Sequence, residues 1–104
     1  MFVIRDGSPY VRFRRAQATG NLLLIRAAAA ELPHLNLGDA LIVCVAIRDA
    51  EPERFEQAAL RWIARYCVER PTVTLSEVRT ATEAFERMAQ RPEDALVALQ
   101  GLCI

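Results

Sequence analysis

Residues 52–90 read PERFEQAALRWIARYCVERPTVTLSEVRTATEAFERMAQ, and this stretch decides the fold. Within it, Thr74-Leu-Ser-Glu77 has the form of a capping box. The Thr hydroxyl can accept from the backbone N–H of Glu77, and the Glu carboxylate can reach back to the backbone of Thr74. Val73 before the cap and Val78 after it suit the hydrophobic staple that accompanies such a box. Leu75, Val78, Ala81, Phe85, Met88 and Ala89 then recur at helical spacing. Arg79, Glu83, Glu86 and Arg87 occupy the other side, with Glu83 and Arg87 as a favourable pair one turn apart. The spacing predicts a helix over about 75–90.

Upstream of that box, Pro52 suits a first helical turn, and Glu51, Glu53 and Glu56 complement the positive end of a helix that Pro71 closes. Phe55, Ala58, Ala59, Trp62, Ile63, Tyr66 and Cys67 form an inner stripe, which Leu60, Ala64 and Val68 widen. A stripe so broad predicts a helix over about 52–70 with neighbours on several sides. Downstream, Pro92 with Glu93 and Asp94 starts a short helix over about 92–102, with Leu96, Leu99 and Leu102 facing inward.

The first half is less strongly marked. Asn36 can cap a helix over about 37–48 with Asp39 in its first turn, although Leu41 to Ile47 would also suit a buried strand. Helix is the expectation, because no second strong strand exists to pair with it. Ser8 and Pro9 can start a long helix over about 10–31, interrupted or closely packed at Thr19-Gly20-Asn21. The alternative is a hairpin of Phe2–Arg5 and Tyr10–Phe13 around Asp6-Gly7. The expected architecture is all-α, a single domain over 1–104. Its four to five helices form an irregular bundle or stacked helical hairpins, with room for a short N-terminal arm or hairpin. Residues 55–71 resemble the second helix of a tetratricopeptide repeat in their aromatic and Ala spacing and closing Pro. The resemblance covers one helix, and no second copy follows at about 34 residues. It implies a helical-hairpin shape and carries over no binding residues.

At 104 residues the chain has room for one core. Hydrophobic residues make up 53% and charged residues 25%, a globular mixture that leaves apolar surface over for a partner, most simply a second copy. The zero net charge hides a partition. Residues 1–30 carry five Arg against Asp6, residues 31–60 carry six acids against Arg48 and Arg54, and the remainder is balanced. A basic end and an acidic middle can attract each other within one fold or between two copies.

All thirteen basic residues are Arg, which removes Schiff-base and lysine-nucleophile mechanisms. Cys44, Cys67 and Cys103 form no C-x-x-C pair, and each falls among apolar positions, where an inert thiol is expected. His34 is the only histidine, which excludes paired-histidine metal motifs. Ser8 and Ser76 are explained by helix starts, and no nucleophile elbow, Walker loop or dinucleotide-binding glycine pattern occurs. No catalytic constellation, cofactor or metal is therefore expected. Arg5 and Asp6 interrupt the one candidate leader, and no apolar run approaches the roughly 20 residues that span a bilayer. A reducing cytoplasmic setting is the expectation.

Two clusters remain as candidates for recognition. Arg12, Arg14 and Arg15 beside Tyr10 and Phe13 suit phosphate contact and base stacking. Trp62 with Arg61 and Arg65 has the composition that dominates protein interfaces. The expected function is a non-enzymatic helical protein-interaction module, self-associating or an accessory subunit. Its partner surface is expected over 22–47, the most apolar part of the first half. The alternative is a small nucleic-acid-binding regulator that uses the Arg-rich N-terminal segment.

Overall fold

The computed structural model describes residues 8–104 and is all-helical there. Six α-helices run in order: α1 Pro9–Thr19, α2 Leu22–Ala30, α3 Leu37–Ala50, α4 Phe55–Glu69, α5 Leu75–Met88 and α6 Pro92–Leu102. A 3₁₀ turn at Pro52–Arg54 leads into α4. The expected four to five helices become six because the segment 10–31 breaks in two. Gly20 adopts φ 68°, a left-handed conformation that ends α1, and its N–H donates to Gln17 O at 3.1 Å. Asn21 then caps α2, its Oδ1 accepting from Leu24 N at 3.2 Å.

The other boundaries follow the local chemistry. Both halves of the capping box form: Thr74 Oγ1 accepts from Glu77 N at 3.1 Å, and Glu77 Oε1 accepts from Thr74 N at 2.9 Å. Asn36 Oδ1 accepts from Asp39 N at 2.7 Å and starts α3, so Leu41 to Ile47 is helix and not strand. Tyr10–Phe13 lies within the first turns of α1, which excludes it from a hairpin. The Phe2–Arg5 half of that alternative lies outside the described residues.

Successive helices pair most extensively as α1 with α2, α3 with α4, and α5 with α6, with lighter contacts of α2 on α3, α4 on α5 and α3 on α6. The radius of gyration is 14.7 Å, against about 13 Å for a compact domain of 100 residues, so the pairs extend the molecule along one axis. Two apolar clusters fill it. The larger joins α3 to α6 around Leu41, Trp62, Tyr66, Phe85, Met88 and Leu99. The smaller joins α1, α2 and α3 around Phe13, Leu22, Ile25, Ala46 and Ile47.

Helix α3 belongs to both clusters, Leu41 and Cys44 to one and Ala46 and Ile47 to the other. That explains why its sequence is apolar all round: each side of the helix has a core to face. Sequence reasoning assigned the central position to α4, but α3 is the shared wall. On α4 the residues expected to widen the inner stripe, Leu60, Ala64 and Val68, are exposed.

Candidate interaction surfaces

The N-terminal basic cluster lies on α1, a helix whose Ser8 cap accepts from Val11 N at 3.3 Å. Arg12 Nε and Nη2 both donate to Glu31 Oε1, at 3.1 and 2.7 Å. Arg14 Nη1 stands 3.8 Å from Asp39 Oδ1, and Arg15 is exposed on the same helix. Phe13 is 0% exposed and anchors the smaller core. Of the two aromatic residues sequence reasoning assigned to base stacking, only Tyr10 remains at the surface. The basic first segment and the acidic one after it thus meet within a single chain, at Arg12–Glu31 and again at Arg26–Glu51.

The second cluster divides between inside and outside. Trp62 is 3% exposed; its ring stacks on Tyr66 with centroids 5.3 Å apart and meets the Phe85 ring edge-on at 5.6 Å. Its Nε1 donates to the Leu37 carbonyl at 2.9 Å, which satisfies the polar end of a buried indole. Trp62 therefore ties α4 to the start of α3 and presents no face to a partner. Arg65 pairs with Glu69 at 2.5 Å and lies 3.4 Å from His34 Nε2. Arg61 borders a hollow of ≈ 240 Å³ together with Arg26, Arg54 and Glu53. Glu51 already engages two of those guanidinium groups, Arg26 at 3.1 Å and Arg54 at 3.7 Å.

The groups weighed for chemistry are structural or dispersed. Cys44 is buried against α4, and desolvation pushes its thiol up to about 12, far from the thiolate a nucleophile needs. Cys103 shifts upward as well, burial outweighing the nearby Arg70. Arg70 itself closes the C-terminal end of α6, donating to the carbonyls of Cys103 and Ile104. Among the described residues no group of three His, Cys, Asp or Glu side chains could hold a metal ion. No described helix is long and apolar enough to cross a membrane.

Of the surplus apolar surface expected over 22–47, only the α2 part lies in solvent, and sequence reasoning missed the rest of it. The surplus is absent from 41–47, which α3 buries or half-buries throughout. On α2, Leu22 and Ile25 point inward while Leu23, 76% exposed, and Leu24 stand outward beside Ala27. In the second half, Leu60 on α4 is 57% exposed and Leu75 on α5 is 83% exposed. Between α4 and α5 runs an apolar crevice of ≈ 370 Å³, with Phe55, Ala59, Leu60 and Ile63 on one wall and Thr82, Phe85 and Ala89 on the other. Glu56 and Glu86 stand at its rim. The crevice exists because α5 turns its main contact surface to α6 and touches α4 only lightly.

The chain matches no family model, no curated protein and no solved structure.

Proposed function

We propose that this chain is a non-enzymatic helical interaction module that works by self-association or as an accessory subunit. The observation that supports this reading is the placement of large apolar side chains in solvent on well-formed helices: Leu23 on α2, Leu60 on α4 and Leu75 on α5. Each costs free energy while exposed, about 1.5–3 kcal/mol for a fully buried aliphatic side chain relative to an exposed one. A partner surface recovers that energy without any change in the fold. The free thiols at positions 44, 67 and 103 suit a protein that works in a reducing, cytoplasmic compartment.

A nucleic-acid regulator is the weaker reading. It would use Arg12, Arg14, Arg15 and Tyr10 on α1, but Phe13 is withdrawn into the core and Glu31 and Asp39 already face two of the guanidinium groups. Light scattering across a wide range of concentration tests the first reading. A mass rising from 11.7 kDa toward twice that value is expected, and an unchanging monomer overturns self-association. Retention on DNA or RNA that weakens with salt and is lost when Arg12, Arg14 and Arg15 become Ala would favour the regulator instead.

A further inference from the structure

The outward face of α5 carries a pattern that its burial leaves unexplained. Leu75, Arg79, Thr82, Glu86 and Ala89 follow one another at intervals of four, three, four and three residues, the spacing of a seam between two paired helices. All five are exposed, and Thr82, Glu86 and Ala89 also line the α4–α5 crevice. Arg79 and Glu86 form no ion pair with any described residue, whereas Arg12, Arg14, Arg26, Arg48, Arg54 and Arg65 each have a carboxylate partner. Reversed about Thr82 the seam is self-complementary in size and charge, the large Leu75 coming opposite the small Ala89 and Arg79 opposite Glu86. Seven residues before Ala89 and seven after Leu75 comes the same small Thr, and the cation and the anion flank it on opposite sides.

We infer, building on the reading of the chain as a self-associating module, that a second copy docks on the α4–α5 face with its α5 antiparallel, about a two-fold axis near Thr82. In that arrangement Arg79 of each copy meets Glu86 of the other, and Glu56 at the rim adds a second carboxylate toward the same guanidinium. The exposed Leu75 lies over the small Ala89 of the second copy, and Thr82 on the axis lets the two backbones approach. Leu60 and Ile63 on α4 supply the apolar wall that the incoming helix covers. A parallel pairing fails on charge, because it sets Arg79 against Arg79 and Glu86 against Glu86. An isologous two-fold contact needs a self-complementary patch, and this stripe has one only in the antiparallel sense. Glu83 and Arg87 beside the seam carry opposite charges, so together they add no net charge to that face.

The test is charge reversal followed by mixing. Sedimentation of the full chain gives the dimer dissociation constant. Arg79→Glu and Glu86→Arg each turn two attractive contacts into two repulsive ones and are expected to raise that constant at least about tenfold, equivalent to about 1.4 kcal/mol. An equimolar mixture of the two variants restores a heterodimer, since one copy then carries only anions on the seam and the other only cations. Thr82→Arg, which sets two guanidinium groups on the axis, gives a monomer by an independent route. Far-UV circular dichroism confirms that every variant keeps its helices. A dimer indifferent to all three substitutions, or single variants that stay monomeric when mixed, overturns this face while leaving self-association standing. An unsubstituted chain that never dimerises removes both.

Discussion

Trp62 offers the sharpest test of how the core is held, because its two readings, interface anchor and core strut, predict different outcomes for one substitution. In Trp62→Phe the indole N–H bond to the Leu37 carbonyl disappears, at a cost of about 1 kcal/mol for a buried hydrogen bond. The smaller ring leaves roughly 40 Å³ unfilled, and at about 24 cal/mol per Å³ the void costs about 1 kcal/mol more. The sum is about 2 kcal/mol, or a fall in Tm of about 8–16 °C for a domain of this size. Trp62→Ala also removes the stacking on Tyr66 and the edge contact with Phe85, and should cost about 3–5 kcal/mol. Urea unfolding followed by circular dichroism is the assay, since Trp62 is the only tryptophan and its fluorescence is lost with it. A Phe variant within about 0.5 kcal/mol of the parent, but with weakened self-association, would refute the core assignment and return Trp62 to an interface.

Three further outcomes follow from single side chains. The Cys44 thiol, raised by burial from an ordinary 9.0 to about 12, stabilises the fold below pH 9. That contribution declines as pH rises from 9 toward about 12, where the unfolded chain ionises and the folded one does not, with a slope of about 1.4 kcal/mol per pH unit. Urea midpoints measured across that range should fall less steeply in Cys44→Ala; equal slopes would count against burial as the cause. Gly20→Ala meets no atom within 4 Å, so its expected loss of about 1 kcal/mol comes from the positive φ alone. A neutral result in the same urea assay would show that α1 and α2 can join by another turn. Thr74→Ala removes the acceptor for Glu77 N and should lower stability by about 1 kcal/mol, with amide exchange accelerated in the first turn of α5 and unchanged in α3.

Local chemistry by itself determined the helical class, the start of α3 and the start of α5, and it marked Thr19-Gly20-Asn21 as a place where the first helix could break. A capping oxygen, a proline ring and a left-handed glycine act over three or four residues, and those residues are adjacent in the chain. The helix-or-strand ambiguity at 41–47 and the surplus attributed to 22–47 had one origin: a segment apolar on all sides has no periodicity to read. Only the tertiary structure decided that α3 faces two cores at once, which turned the α3 part of that surplus into interior, left Leu23 and Leu24 of α2 outside, and exposed Leu60 and Leu75 in the second half, where no surplus was expected. It decided as well that Phe13 and Trp62, equally plausible as surface anchors by composition, are both buried. Burial depends on which helices arrive from far along the chain, and a spacing rule confined to one helix carries no record of its neighbours.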